Sequence, residues 1–446
     1  MSDDTLRADL ANPDQGAGLV AFKQPASGAV PRTVATKLHE QVTVKDFGAV
    51  GDGVADDTAA VQSAVNYIAT NGGNLLFPRG TYLMTSGINI NAATKAFNLC
   101  GETICAQTDD GAGITTQLLF AVADGVHAIN IHNTTPALTR CVSISNLHIL
   151  RSTQESKGGG GVGLYLQGVF ESYFQNITVS KFDRCLRTAE LNFGSGNYQP
   201  TIHALFHHCN FRDGSTENIL LDGFSTIKFD MCNIIGAING QDSLITITRS
   251  GTFSDSAWFN NCVIISIAST PPPRLVFVAG GFFHQFDGCA LEQGTNCFDL
   301  AIVAVSYSPT LINIMVNNCH FNGHRTSVLN CILPARVMFS HNRVDGSSQT
   351  NGNLLQMVAT SVVDMECIID GNDISFATGF GVYANNIRGM QVANNRFRST
   401  AGNGTAVYLE SSTAGCVVTG NSIKTAGTAT QNFAGSANVS LNNISY

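Results

Sequence analysis

Two pairs of carboxylates stand at matching places in a repeated pattern of this 446-residue chain, and each pair could divide acid and base work, with Asp230 and Asp287 the first choice and Glu292 and Asp345 the second. Asp230 and Asp287 each follow the phenylalanine of an F-D-x-C segment, FDMC from Phe229 and FDGC from Phe286. Glu292 and Asp345 each lie three residues beyond the fourth position of the same pattern, which is Cys289 in one copy and Asn342 in the other. The pattern places Lys228, Trp258, Asn260 and Gln285 around the first pair, and Trp258 is the only tryptophan in the chain. Around the second pair it places His320, Asn322 and Arg343. An exposed indole is a stacking platform for a sugar ring, and two carboxyl groups can protonate a leaving oxygen and activate a water. If successive units stack at the inter-strand spacing of about 4.8 Å, residues two units apart are roughly 9–10 Å from each other. That separation overlaps the ~6.5–9.5 Å between the carboxyl groups of inverting glycosidases. His320 and Arg343 would also suit an elimination, which needs a base and a cation against a uronate carboxylate. The plainer role of any single outward aspartate is to keep a low-charge surface solvated.

The element that must position these residues is the repeat. Its form is Phe or another apolar residue, two intervening positions, Cys or Asn, and an apolar residue two further on. Ten copies follow one another, from FHHCNF at Phe206 to VSLNNI at Val439. The fourth position runs through Cys209, Cys232, Cys262, Cys289 and Cys319, then Asn342, Asn372, Asn395, Asn421 and Asn442, with spacings of 21 to 30 residues. Weaker copies precede them at ISNLHI (Ile144 to Ile149) and YFQNITV (Tyr173 to Val179). Such a period built on short strands with Asn and Gly corners predicts stacked β-coils, about 14 to 16 of them in a rod on the order of 70 Å long. The first apolar residue is expected to point inward, so its two neighbours point outward and form surface columns. The Asn corner is expected in a left-handed conformation and bonded along the axis, with Cys as an apolar version of it.

Composition agrees and excludes alternatives. Only 13% of residues are charged and 44 are glycine. The net charge of −8 disfavours nucleic acid as a partner. No apolar run reaches the ~18 residues of a membrane span, and MSDDTLRADL does not read as a signal peptide. Thirteen cysteines with no C-x-x-C spacing read as free, buried thiols of a protein made in a reducing cytosol. His203, His207, His208 and Cys209 have the look of a ligand set, but Cys209 belongs to the buried corner, so no metal or other cofactor is expected. GGGGVG from Gly158 lacks the lysine of a phosphate loop and reads as a flexible turn. DDTAAVQSAVNYIA (Asp56 to Ala69) reads as an N-terminal capping α-helix, with Val61, Val65 and Ile68 on its apolar face.

VTVKDFGAVGDGVADDTAAVQSAV (Val42 to Val65) followed by GGNLLFPRGTYLM (Gly72 to Met84) resembles the entry segment of the pectate-lyase-like superfamily. The preceding stretch from Ala8 resembles the connector of phage and prophage tailspikes. The resemblance implies an all-β, single-stranded, right-handed parallel β-helix solenoid. Residues 1–41 would be a connector or virion-attachment segment and 42–446 the β-helix, divided into a cap over 42–84 and coils over 85–446. Structural roles for Asp52, Asp56 and Asp57 are implied. So is a phage tailspike in the virion tail, assembled in the host cytoplasm and attached to the baseplate or a tail adaptor through its N-terminal segment. The partners implied are a second and third copy of the chain and a bacterial surface polysaccharide, O-antigen or capsule, cleaved by endoglycosidic hydrolysis. A polysaccharide lyase and a non-enzymatic receptor-binding fibre are the alternatives. The paired aspartates and G-H-G of polygalacturonases are absent from the chain.

Overall fold

The computed structural model describes residues 3–91, 95–102, 116–133, 139–252, 254–300, 312–332, 335–346, 349–350, 352–400, 404–424, 432–433 and 437–445. Its main body is a solenoid of three parallel sheets, in which each strand pairs with the equivalent strand of the coils before and after. Sheet I runs from Val42–Thr43 to Val439–Leu441, sheet II from Asp52–Asp56 to Ile444–Ser445, and sheet III from Ile88–Asn91 to Asn432–Phe433. Among the described residues, fifteen successive coils supply a strand to sheets I and II, and thirteen of these also supply sheet III. The count falls within the expected range, and the fold is the right-handed parallel β-helix, the hand that parallel crossovers take.

The repeat phenylalanines point inward as expected. Phe174, Phe206, Phe229, Phe259 and Phe286 are fully buried and stack face to face, with centroids 4.6, 4.8, 4.6 and 4.7 Å apart and ring planes within 11°. Burying each ring contributes about 1.5–3 kcal/mol, and in-register stacking repeats that gain on every coil.

The corner between sheets I and II differs from expectation in three ways. The residue in the left-handed conformation is the one before the Cys or Asn: His208, Met231, Asn261, Asn318, His341 and Asn394 all have φ near +50 to +56°, and Gly288, Gly371 and Gly420 take the same place at +64 to +65°. The Cys and Asn side chains are instead buried inward. Second, cysteine is more than an apolar substitute. The thiols of Cys209, Cys232, Cys289 and Cys319 donate to the carbonyls of Phe174, Phe206, Phe259 and Phe286, at 3.3 to 3.5 Å. In later coils Asn342, Asn372 and Asn395 donate through Nδ2 to the equivalent carbonyls of Val316, Phe339 and Ile369, at 2.8 to 2.9 Å. Both side chains thus satisfy the same buried acceptor, the thiol more weakly. Third, the last coil is offset by one residue. Val418 pairs with Ser440, so Asn443 and not Asn442 ends the ladder, accepting from Asn421 N and Nδ2 at 2.9 Å each. Here Val439, Leu441 and Ile444 are exposed, so no inward apolar side chain enforces the repeat's own frame.

Twelve cysteines are free, ten of them buried, and Cys105 lies outside the described residues. The capping helix is Thr58–Asn71, with Val61, Val65 and Ile68 on its buried face. The acidic residues before it shape the turn: Asp57 is buried and accepts from the amides of Val50 (2.6 Å) and Gly51 (3.0 Å), and Asp52 accepts from Val54 and Ala55. Gly51 has φ +71° and lies against the Tyr82 ring, where a Cβ would come within 2.9 Å. The described residues up to 41 form the short helices Asp3–Ala11, Gly16–Leu19 and Val34–Leu38 and a two-stranded antiparallel pair of Ala21–Phe22 with Arg32–Thr33.

The ladder makes a stability prediction. Asn372→Ala leaves the Phe339 carbonyl and the Asn342 amide unpaired and should cost about 2–4 kcal/mol. Asn372→Cys restores a thiol donor to Phe339 and should cost visibly less. Urea-unfolding midpoints of the two variants check the order.

Candidate functional site

Strand registers place the first set of residues together as expected. On sheet I, Lys228, Trp258, Gln285, Met315 and Met338 are successive partners in one outward column. His207, Asp230, Asn260, Asp287 and Asn317 form the neighbouring one. Asp230 and Asp287 are therefore two rungs apart with Asn260 between them. Both carboxylates already have partners: Asp230 bonds His207 Nδ1 at 3.1 Å, and Asp287 accepts from Asn318 Nδ2 at 2.9 Å. Trp258 is half-buried, and its indole N–H is shielded with no partner among the described residues. The histidines near Cys209 diverge: His203 packs on Phe170, and His208 lies edge-on to His207. Among the described residues no three His, Cys, Asp or Glu side chains converge as a metal site.

The second set lies on sheet II. Glu292, Asn322 and Asp345 are successive partners in one outward column, and Ala290, His320 and Arg343 in the next. This set borders a cleft of about 450 Å³ at the corner between sheets II and III, lined by Ala268, Pro271, Gln293, Asn322, Gly323, Arg325 and Thr350. The carboxylate of Glu292 and the guanidinium of Arg343 make no hydrogen bond or ion pair among the described residues. Asp345 accepts from Ser375 Oγ at 3.4 Å. Beneath the cleft His324 is fully buried, with Nε2 3.1 Å from the carbonyl of Leu291, so it braces the backbone beside Glu292.

Two features escaped the sequence reading. The glycine run is anchored where a flexible turn was expected. The amides of Gly158 and Gly160 donate to Asp183, which is fully buried, and that of Gly161 donates to Glu155, at 2.8 to 3.1 Å. Arg184 bridges Asp183 (2.9 Å) and Glu217 (2.7 Å), and burial pushes the Glu217 carboxyl above its ordinary range against the pull of Arg184. A buried acid pairing with backbone amides has no sequence signature, because its donors are not side chains. The second feature is an outward column on sheet III. It runs Phe277, Asp299, Asn330, Gln356, Tyr383 and Tyr408, each the partner of the next. The repeat used to read the sequence spans only the corner between sheets I and II, so its register does not extend here. The signal that could have found the column is the spacing of the inward residues Val276, Phe298, Leu329, Leu355, Val382 and Val407.

These observations define a three-sheet parallel β-helix whose outer wall is built one residue per rung. The chain belongs to the family described as rhamnogalacturonase A/epimerase, pectate lyase-like, which matches residues 41–328. It is 34% identical over 97 residues to the tail spike protein of Shigella phage Sf6, an alignment covering 19% of this chain and 16% of that protein. It is 23% identical over 310 residues to the capsule K2-specific depolymerase of Klebsiella phage vB_KpnP_KpV74, covering 62% of this chain and 51% of that protein. The chain thus spans at most about half the length of these two relatives. Among solved structures, tailspike protein 3 of bacteriophage CBA120 shares the fold with a TM-score of 0.58 at 13% identity, over 98% of this chain and 67% of that one.

The buried histidines set a pH response. Burial pushes the imidazoles of His284 and His324 down to about 4, whereas an unfolded histidine takes its proton near pH ~6.5. Stability should therefore hold above about pH 6.5, fall as the pH drops toward 4, and level off below that, by up to about 3 kcal/mol for each group. Denaturation midpoints across this window check the sign, and a His284→Gln, His324→Gln double variant should flatten the slope.

Proposed function

We propose that this chain is the β-helix body of a phage tailspike that binds and cleaves a bacterial surface polysaccharide by endoglycosidic hydrolysis. Family membership and the likeness to a tail spike protein and a capsule depolymerase support this reading. In this proposal the residues at 1–41 attach the chain to the virion, and three copies assemble.

The observation that moves the choice of site from Asp230 and Asp287 to the second pair is the cleft beside it, lined by Asn322 and by Gln293 next to Glu292. The middle rung of this pair, Asn322, lines the concavity. Two rungs separate the backbones by roughly 9.5 Å, leaving room for a glycosidic bond and a water between the carboxyl groups. Asp345, which accepts from Ser375, serves as the base: it takes a proton from a water whose oxygen attacks the anomeric carbon. Glu292, without a partner among the described residues, gives its proton to the leaving glycosidic oxygen. The two carboxyl groups then exchange protons with solvent, and the anomeric configuration inverts. Asn322 and His320 hydrogen-bond sugar hydroxyls, and Arg343 offers an unpaired cation to an acidic substituent. Asp230 and Asp287, held by His207 and Asn318, form with Lys228, Trp258, Asn260 and Gln285 a flat sugar-binding face in this reading.

One observation favours elimination as a second reading. His320 and Arg343 are rung partners, a base beside a cation able to hold a uronate. A lyase leaves an unsaturated, ultraviolet-absorbing sugar at the new end, and a hydrolase leaves none.

Glu292→Gln and Asp345→Asn should each lower depolymerisation by about 10²–10⁴-fold with the fold intact. Asp230→Asn and Asp287→Asn should act mainly on binding. Reducing-end release from host polysaccharide measures both; full activity in Glu292→Gln and Asp345→Asn overturns this assignment of the site.

A further inference from the structure

The outward column of sheet III has a composition that a solvated wall does not need. Two aromatic rings of its C-terminal part, Tyr383 and Tyr408, cluster with Phe380, three residues before Tyr383 on the same strand. Phe380 stacks on Tyr408 with centroids 4.3 Å apart, Tyr383 lies 5.6 and 6.0 Å from them, and all three planes lie within 19°. All three residues are partly exposed. The Tyr383 hydroxyl donates to Glu410 at 3.1 Å, which fixes that ring's polar edge.

Toward the N-terminal end the column continues as a rail of polar side chains linked head to tail. Asn353 Nδ2 donates to Gln356 Oε1 (3.0 Å), Gln356 Nε2 to Asn330 Oδ1 (3.2 Å), and Asn330 Nδ2 to Asp299 Oδ1 (3.0 Å). Arg274 closes the rail, with Nη1 3.3 Å from Asp299 Oδ2 and its guanidinium 3.8 Å over the Phe277 ring. Each amide therefore keeps a fixed orientation with hydrogen-bonding capacity to spare, and little rotamer freedom is lost when a ligand arrives. From Phe277 to Tyr408 the strip covers five rung intervals, about 24 Å.

We propose that this strip is a binding site for an extended polysaccharide chain, with a pyranose face on the Phe380, Tyr383 and Tyr408 rings and sugar hydroxyls on the amide rail. A glycan has the matching chemistry, a C–H face that stacks on aromatic rings and an edge of hydroxyls that both donate and accept. A protein partner held by its core would call for a broad apolar patch, and this strip is narrow and alternates its rings with a run of amides and a carboxylate. Pro271 lines the cleft beside Asn322, and Arg274, three residues on, begins the rail, so the strip continues from the mouth of that cleft toward the C-terminal coils. The strip rests on the reading that the ligand is a polysaccharide, and it adds a second region that grips the chain away from the carboxylate pair.

The test uses the full chain on an array of bacterial O-antigen and capsular polysaccharides. Tyr383→Ala and Tyr408→Ala should each weaken binding to the recognised polysaccharide by about ten-fold, while Tyr408→Phe, which keeps the ring, binds within about two-fold of the parent. Asn330→Ala, which breaks the rail without touching the rings, should also weaken it and serves if a tyrosine variant fails to fold. Parent-like binding by the folded alanine variants overturns the strip, as does a parent chain that binds no polysaccharide on the array. Ring-dependent binding without any chain cleavage by the parent leaves the strip standing and removes the enzymatic reading.

Discussion

The structure depends on one buried acceptor. At the corner between sheets I and II, the carbonyl of the inward apolar residue in each coil faces the interior and has to be paired by the next coil. A thiol does this at Cys209, Cys232, Cys289 and Cys319, and an amide at Asn342, Asn372, Asn395, Asn421 and Asn443. Because the donor comes from the following coil, the bond sets register between coils as well as closing the corner. The asparagines go further, since each side-chain oxygen also accepts from the previous corner's backbone amide. With register set there, the phenylalanines stack and the outward positions fall into columns.

Those columns constrain any chemistry on the wall. Two residues in one column can be separated only by whole rungs, so a carboxylate pair with room for a water between its members takes positions two coils apart. Asp230 with Asp287 and Glu292 with Asp345 both do so. What separates them is what surrounds each pair. In the first, neighbouring side chains hold the carboxylates, whereas the second borders a cleft lined by the turns around Pro271, Gly323 and Thr350. A regular ladder supplies the spacing, and the irregular turns supply the concavity. The buried acids Glu155 and Asp183 do neither; they tie the glycine run to the wall through its amides.

The legible part of this architecture was the part with restricted chemistry. Only a small side chain with a donor fits the buried corner, so Cys and Asn recur there and expose the period, and alternation then gives the outward columns of sheets I and II. Sheet III has no such corner. Its inward positions accept Val, Phe, Leu or Ile alike, and the turns leading to it differ in length, from Gly236 to Ile245 in one coil and from Ser266 to Arg274 in the next. Its aromatic and amide column was therefore invisible to a motif. The offset at Asn443 has the opposite cause: the motif matched at Asn442, but with Leu441 and Ile444 exposed no core side chain held that frame.

Sequence alone thus determined the solenoid, the helical cap and which residues of sheets I and II share a column up to the last coil, because periodicity and alternation are properties of the chain itself. Tertiary structure alone decided which residue of the corner is left-handed, that the thiols act as donors, that the glycine run is held by buried acids, and which carboxylate pair borders a cleft. Each of these turns on backbone amides and carbonyls, or on turns from different coils meeting in space. Such groups carry no residue-specific signature, so their partners are chosen only when the coils stack.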